Sequence, residues 1–200
     1  MCGLAAIFAY GSAAPPVAAD ELARITVAMA KRGPDGEGRW ISADGRVGFG
    51  HRRLAILDPG PDGAQPMALT EHGATNTPSG DARLVITFNG EIYNFLELRR
   101  ELESQGRIFR THSDTEVLLH LYDRDGAAMV EHLRGMYAFA IWDGVKRGVL
   151  LARDPFGIKP LYVADNGATL RVASQVKALR AGGQISDRPD PAGHVGFFMF

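Results

Sequence analysis

The chain alternates between stretches in which apolar residues recur with the period of a strand and stretches in which they recur with the period of a helix. Short apolar runs bounded by Gly, Pro, Asn or Asp predict strands, whereas apolar residues three or four positions apart predict the buried face of a helix. The helical pattern covers 18–31, where Leu22, Ile25 and Met29 form the stripe. The predicted strands cover 4–10, 38–41, 47–51, 84–88, 136–142, 148–152 and 170–173.

Two further helices are predicted from the residues at their starts. Asn94 is expected to cap a helix that carries an apolar stripe of Phe95, Leu98 and Leu102. The segment 113–116, Ser-Asp-Thr-Glu, has the spacing of a capping box and opens an apolar run. Both segments are therefore predicted to be helical.

The connecting segments contain turn residues and support an α+β fold class. Glycines and prolines make 32–36 a loop, and Asp44-Gly45 predicts a turn between two short strands. The segment 59–66 is expected to be irregular, and 71–81 is expected to be a mobile surface loop. Because strands come in batches without regular βαβ alternation, we expect antiparallel sheets.

The length of 200 residues suits one domain with the beginning of another. We predict a domain over 2–186. The segment 187–200 is predicted to be a linker and the start of a second domain, because 188–191 is Pro-rich and the apolar run 195–200 lacks a helix stop signal. We expect the natural protein to continue beyond Phe200.

Composition and charge disfavour several classes of partner. The 22 basic and 23 acidic residues are mixed along the chain, so no nucleic-acid partner is expected. No apolar run approaches the ~18 residues of a membrane span, so we expect no membrane association and a cytoplasmic location. With one cysteine and scattered histidines, neither an internal disulfide nor a metal site is expected.

The single cysteine stands at position 2, where removal of Met1 would leave a thiol and a free α-amine on one residue. A lone cysteine is more often an inert buried residue. With a pKa of ~8.5, however, a thiol needs a nearby base to act as a nucleophile at neutral pH. The α-amine, with a reference pKa of ~7.7–8.0, is such a base. Position 2 therefore predicts an N-terminal nucleophile.

Five short motifs occur in an order that resembles the class II glutamine amidotransferases. They are Met1-Cys2-Gly3, Arg32-Gly33-Pro34-Asp35, His51-Arg52-Arg53-Leu54, Asn89-Gly90-Glu91 and Ser113-Asp114. Longer stretches are similar to the N-terminal half of glutamine-dependent asparagine synthetases. These are 53–58, 63–66, 89–94 and 153–162, and the resemblance covers roughly 2–179.

The resemblance implies the N-terminal-nucleophile hydrolase fold, an αββα sandwich of two antiparallel sheets between helical layers. It also implies Cys2 as the nucleophile and Asn89 and Gly90 as the oxyanion hole, although Asn-Gly alone would favour a hairpin turn. Arg53 would bind the α-carboxylate of glutamine and Asp114 its α-ammonium, with Glu91 assisting; a plain helix cap is the alternative for Asp114. The pocket residues implied are Arg53, Leu54, Ala55, Ile56, Leu57, Asn89, Gly90, Glu91 and Asp114.

Two neighbouring residues are expected to stay outside the chemistry. Arg52 should point to the opposite face of the strand from Arg53 and be solvated. His51 adjoins Arg53, but the mechanism does not require it. Arg153-Asp154 resembles a structural ion pair of the family.

The expected activity is hydrolysis of glutamine to glutamate and ammonia through a thioester on Cys2. The resemblance implies that ammonia passes to a C-terminal synthetase domain that uses ATP and magnesium to amidate aspartate; this chain itself would hold no cofactor. A homodimer is one expected assembly. The alternatives are a glutaminase domain that serves another acceptor and a catalytically silent relative with a structural or interaction role.

Overall fold

Two five-stranded antiparallel sheets form the centre of the computed structural model, which describes residues 1–56, 58, 60–186, 188–189 and 191–199. The strands are β1 (Gly3–Ala9), β2 (Gly36–Ile41), β3 (Val47–Arg53), β4 (Met67–Thr70), β5 (Gly73–Thr75), β6 (Leu84–Ile92), β7 (Gly135–Asp143), β8 (Gly148–Arg153), β9 (Tyr162–Asp165) and β10 (Thr169–Ala173). The first sheet has the order β2-β3-β1-β10-β9, and the second has the order β5-β4-β6-β7-β8.

The described residues also form helices α1 (Ala19–Val27), α2 (Phe95–Ser104), α3 (Asp114–Asp125), α4 (Val176–Ala181) and α5 (Pro191–Met199), with short 3-10 turns at Ala30–Arg32, Pro61–Gly63 and Gly126–His132. The first four of these helices cover the outer faces of the two sheets. Helices α1 and α4 pack on the first sheet, and α2 and α3 pack on the second. Together with the sheets these four helices form four layers, as the αββα prediction requires.

The strand period places alternate side chains in different layers. In β1, Leu4 and Ala6 face the second sheet, whereas Ala5 and Ile7 face α1 and α4. The layer between the sheets contains Trp40 and Phe49 from the first sheet and Ala138, Ala140 and Trp142 from the second. The two sheets therefore share one buried core.

The strands and helices predicted from the sequence are all present, with shifted ends. Strand β6 continues to Ile92, so Asn89 and Gly90 lie inside it rather than at its end or in a turn. The predicted loop 71–81 contains β5, which completes a hairpin with β4. Strands β4, β5 and β9 and helices α4 and α5 were not predicted, because each is short or lacks a clear period.

The two predicted helix starts differ in how they are capped. Asn94 occupies the cap position of α2, but its side chain binds the carbonyl of His132 and the backbone N–H of Arg134 instead. Ser113 does cap α3, accepting a hydrogen bond from the N–H of Thr115 at 3.2 Å. Glu116 does not complete a capping box, since its carboxylate binds the backbone N–H groups of other segments. These belong to Ala74, Arg110 and Thr111.

Candidate active site

A pocket opens where β1 and β3 of the first sheet face β6 and β7 of the second. Its lining comes from segments far apart in the sequence, brought together by the strand order. The lining residues are Met1, Cys2, His51, Arg53, Leu54, Ile56, Gly63, Gln65, Phe88, Asn89, Gly90, Glu91, Ser113, Asp114, Thr115, Met136 and Lys159.

Cys2 stands at the edge of this pocket, immediately before β1. Its Sγ lies 3.4 Å from the backbone nitrogen of Leu54 and 3.6 Å from the Leu54 carbonyl oxygen. The carbonyl of Cys2 accepts a hydrogen bond of 2.8 Å from Nε of Arg32, the first residue of the predicted loop 32–36. The thiol is half-buried and forms no disulfide, and the hydrogen bond from Arg32 fixes the backbone beside it.

Asn89 offers a buried amide donor to the pocket. Its side chain is 1% exposed, and its Nδ2 has no hydrogen-bond partner among the described residues. A buried amide without a partner costs about 1–3 kcal/mol, so such groups are rare in folded proteins unless a ligand or water completes them. The position of Asn89 suits a donor to a developing oxyanion.

The backbone N–H of Gly90 lies at the open edge of β6. The N–H of Phe88 binds Oε1 of Gln65 at 2.6 Å, and the N–H of Ile92 binds Oδ2 of Asp114 at 3.0 Å. Alternate N–H groups of a strand point to the same edge, so the N–H of Gly90 points between Gln65 and Asp114. A Cβ at Gly90 would lie 2.4 Å from the carbonyl oxygen of Met136, which explains the need for glycine.

Arg53 ends β3 and faces the pocket from the first sheet. Its guanidinium donates to the carbonyl of Gly60 at 2.8 Å and to the carbonyl of Asp58. Arg52, in contrast, is not solvated as predicted. It donates to the carbonyl of Gly33 at 3.1 Å and pairs with Glu37 on β2, because the neighbouring strand supplies a carboxylate on that face.

Asp114 supplies buried negative charge on the opposite side of the pocket. It is 4% exposed, and burial raises its pKa to about 6, although the hydrogen bond from Ile92 opposes that change and the nearby Glu91 supports it. Ser113, not Asp114, makes the cap contact of α3. The carboxylate of Asp114 therefore braces β6 while it lines the pocket.

Gln65 and Lys159 line the pocket but were not predicted as site residues. Gln65 connects β6 to α3, since its Oε1 accepts from Phe88 and its Nε2 donates to Oγ1 of Thr115 at 3.2 Å. Lys159 is 6% exposed, and its backbone N–H donates to Asp154. Gln65 and Lys159 lie in the stretches 63–66 and 153–162, which resemble the family, and this similarity could have indicated them.

The segment after Arg53 contributes mostly backbone. Leu54 contacts the Cys2 thiol through its peptide groups, and Ile56 lines the pocket although its side chain is 70% exposed. Ala55 lies outside the pocket lining and donates its N–H to Asp35 at 2.9 Å. Leu57, also predicted to contact substrate, lies outside the described residues.

The sequence profile of the glutamine amidotransferase domain matches residues 1–200, the whole chain. The chain belongs to this family. Its relatives include a Mycobacterium bovis protein whose name assigns it to the glutamine-hydrolysing asparagine synthetases, 44% identical over 90% of this chain and 28% of the relative. Asparagine synthetase 3 (glutamine-hydrolysing) of Bacillus subtilis is 41% identical over 85% of the chain and 26% of the relative. The amidotransferase domain thus spans about a quarter of these relatives.

The solved structure of glutamine phosphoribosylpyrophosphate amidotransferase from B. subtilis has the same fold. It superposes with a TM-score of 0.72 and 26% identity over 91% of this chain and 44% of that chain. The predicted N-terminal-nucleophile fold of the amidotransferase domain is confirmed by this similarity. Among the described residues, no helix is long and apolar enough to cross a membrane.

The roles predicted for individual residues of the amidotransferase domain stay predictions. The structure shows where these residues lie. Cys2, Arg53, Asn89, Gly90, Glu91 and Asp114 share one pocket. No group of three or more potential metal-binding side chains (His, Cys, Asp or Glu) occurs in the described part of the chain.

Proposed function

We propose that this domain hydrolyses glutamine to glutamate and ammonia through a thioester on Cys2. The observation that carries the proposal is the convergence in one pocket of a thiol, an unpartnered amide donor, a guanidinium and a carboxylate, belonging to Cys2, Asn89, Arg53 and Asp114. Each group matches one part of the glutamine molecule or of its reaction.

Binding uses the two charged groups of the amino acid. The guanidinium of Arg53 has the fork geometry that suits an α-carboxylate. The carboxylate of Asp114 suits the α-ammonium, and its own negative charge is costly while the pocket holds no cation. With a pKa of about 6, Asp114 is mostly ionised at neutral pH and available to the ligand.

The chemical step begins when the free α-amine of Cys2 takes the thiol proton. The thiolate attacks the carboxamide carbon, and the oxyanion accepts hydrogen bonds from Nδ2 of Asn89 and the N–H of Gly90. The proton then passes to the leaving nitrogen, and ammonia departs as the thioester forms. Water hydrolyses the thioester, which releases glutamate and regenerates the thiol.

The acceptor of the ammonia is proposed from the relatives. The names of the relatives designate asparagine synthetases, and the chain covers only 26–28% of their length. We propose that the remaining C-terminal region binds ATP and magnesium and amidates aspartate with the ammonia released here. A cytoplasmic location and a homodimer belong to the same proposal.

The alternative is that the ammonia passes to an acceptor other than aspartate, and the fold similarity supports this alternative. The solved structure with a TM-score of 0.72 is named for phosphoribosylpyrophosphate, which is not an amino acid. An amidotransferase of this fold is therefore named for a compound other than aspartate, which supports the proposal of another acceptor. Asparagine formation by the full-length protein, measured with aspartate, ATP and glutamine, would decide between the two.

The central test is a glutaminase assay on the chain with Met1 removed. Equal amounts of glutamate and ammonia are expected from the unchanged sequence, and none above background from Cys2→Ala with an unchanged circular dichroism spectrum. Cys2→Ser provides a matched control that keeps a smaller, less acidic nucleophile. Hydrolysis by pure Cys2→Ala at more than a trace would exclude Cys2 as the nucleophile.

Retention of Met1 tests whether the α-amine of Cys2 is the base that takes the thiol proton. The peptide bond from Met1 turns the α-nitrogen of Cys2 into an amide, which does not take up a proton near neutral pH. A form with Met1 retained, verified by intact mass, is therefore expected to be inactive although its thiol is intact. Equal activity of the two forms would show that another group activates Cys2.

A further inference from the structure

His51 is a buried pocket residue that the mechanism above does not use. It is 1% exposed, lies on β3 two residues before Arg53, and reaches across to the second sheet. Its Nδ1 lies 3.3 Å from Oγ1 of Thr87 on β6. Its Nε2 is buried and has no hydrogen-bond partner among the described residues.

The contact with Thr87 determines which ring nitrogen carries the proton. The hydroxyl of Thr87 has one hydrogen, and it donates that hydrogen to the carbonyl of Gly50 at 3.2 Å. The same hydroxyl must therefore accept from His51, so the hydrogen of the ring is on Nδ1. Burial and the nearby charge of Arg53 lower the pKa of His51 to about 3, which keeps the ring neutral. Nε2 then carries a lone pair and acts only as an acceptor.

The position of this acceptor relates it to the oxyanion donors. Thr87 and Asn89 are two residues apart on β6, so their side chains share one face of the strand. The ring of His51, held on Thr87, consequently lies on the same side of the second sheet as Asn89. Unpartnered groups of opposite kind, an acceptor on His51 and a donor on Asn89, thus line one pocket.

We propose that Nε2 of His51 accepts a hydrogen bond from the carboxamide –NH₂ of glutamine and thereby selects glutamine over glutamate. The proposal rests on the glutaminase function proposed above and adds a specificity determinant to it. The carboxamide has one acceptor oxygen and one donor nitrogen, so an oxygen placed on Asn89 leaves the nitrogen in need of an acceptor. Glutamate offers a second oxygen at that position, whose lone pairs face the lone pair of Nε2.

Weaker binding of glutamate than of glutamine helps the product to leave and so favours turnover. The product glutamate keeps the α-carboxylate and α-ammonium that Arg53 and Asp114 bind, so those contacts do not distinguish product from substrate. A neutral acceptor that repels the new carboxylate weakens product binding specifically. Protonation of His51 would turn Nε2 into a donor and cancel this preference, and the buried position prevents it at neutral pH.

The ring tautomer is tested directly by nitrogen-15 NMR of the histidines in the Met1-processed chain. We expect the Nδ1–H form for His51, with its signals assigned by their loss in His51→Ala. The Nε2 resonance should shift when glutamine binds to the Cys2→Ala variant, which cannot turn it over. An Nε2–H tautomer in the free protein would overturn the proposal without bearing on the glutaminase activity.

Binding to the Cys2→Ala variant tests the selectivity. Adding His51→Ala is expected to lower the ratio of the glutamate and glutamine dissociation constants by about 10-fold, the effect of one good hydrogen bond. Thr87→Val, which removes the partner of Nδ1 without touching substrate, should lower the ratio in the same direction and serves if His51→Ala does not fold. His120→Asn is the matched control, a buried histidine outside the pocket whose Nδ1 also lacks a partner.

The outcomes separate the two proposals. If glutamine binds and the ratio is unchanged in both His51→Ala and Thr87→Val, the role of His51 is refuted and the glutaminase function stands. If the processed chain releases no ammonia from glutamine, the proposed function fails, whatever the tautomer of His51.

Discussion

Arg53 and Asn89 face the same pocket but should affect different steps of the reaction. In the proposed function, Arg53 binds the bound substrate and the transition state equally, so Arg53→Ala should raise KM about 10- to 100-fold with a smaller change in kcat. Asn89→Ala removes a donor needed when charge develops on oxygen, so it should lower kcat by ~10²–10³. Steady-state kinetics of the two variants distinguishes these effects.

Arg52→Ala is the matched control for Arg53→Ala, because Arg52 is the adjacent residue and pairs with Glu37 rather than the pocket. It should leave KM nearly unchanged. The role assignment would be overturned if Asn89→Ala changed only KM while Arg53→Ala changed only kcat.

The role proposed for Asp114 predicts that substrate binding depends on pH. Its pKa of about 6 means that it becomes protonated as the pH falls below 6 and then loses its attraction for the α-ammonium. The KM for glutamine should therefore rise as the pH is lowered from 7 to 5. In Asp114→Asn the KM should be high at every pH in this range. A pH-independent KM in the unchanged sequence would contradict the assignment.

The same residue should reduce the stability of the free protein. A pKa raised on folding means that the folded state binds more protons than the unfolded chain, so the contribution of Asp114 to the free energy of unfolding decreases as the pH rises from about 4 to about 6. The decrease is about 3 kcal/mol. Asp114→Asn, which can still accept the hydrogen bond from Ile92, should be more stable than the unchanged sequence at pH 7.5, as urea unfolding would show.

The open edge of β6 connects the packing of the second sheet to the pocket. Along this edge the N–H of Phe88 binds Gln65, and the N–H of Ile92 binds Asp114. The N–H of Gly90 lies between them and faces the pocket. The strand must lie close to β7 at Gly90 to keep this edge in register, since Gly90 pairs with Tyr137. A side chain at this position would displace either strand.

Gly90→Ala should therefore lower both the melting temperature and kcat. The added Cβ would lie 2.4 Å from the carbonyl oxygen of Met136 and 2.8 Å from Cα of Tyr137, both of them backbone atoms that cannot move independently. A loss of about 1–3 kcal/mol is typical of such overpacking. Gly148→Ala is the control, because its added Cβ would meet nothing closer than 3.9 Å. Equal melting temperatures of the two variants would contradict this account.

The core that the two sheets share should make them unfold together. The chain has two tryptophans, and Trp40 belongs to the first sheet whereas Trp142 belongs to the second. Both are buried in the layer between the sheets. Trp40→Phe and Trp142→Phe therefore leave one fluorescent reporter for each sheet.

Unfolding in urea should give the same midpoint for each single-tryptophan variant by fluorescence and by circular dichroism. Coincident transitions are the signature of a two-state protein. The midpoints are compared within each variant, because the substitutions can alter overall stability. A separate fluorescence transition in one variant would show that one sheet unfolds before the other.

The elements of this protein are largely determined by local sequence. The period of apolar residues is a property of neighbouring positions, and it correctly predicted β1, β7, β8 and helix α1. The position of Cys2 directly after Met1 is also a sequence property, and the resemblance carried by the ordered motifs led to the family that the comparison confirms.

How those elements use their polar groups depends on contacts between distant segments of the chain. Asn89 and Gly90 form part of a strand rather than a turn because β7, distant in sequence, pairs with them. Asn94 binds the backbone at His132 and Arg134 instead of capping its own helix. A hydrogen-bond partner from another element has no signature in the local pattern, so such choices depend on the packed fold.

The pocket likewise depends on the packed fold. The sequence and its resemblance named Cys2, Arg53, Asn89 and Asp114, but the order of strands in the two sheets brings them together. Nε2 of His51 was identified as an acceptor from the contact of the ring with the hydroxyl of Thr87 on the opposite sheet. No spacing within the sequence indicates that contact. The sequence determined which chemical groups are present, and packing of the two sheets determined which of them face the pocket without a partner.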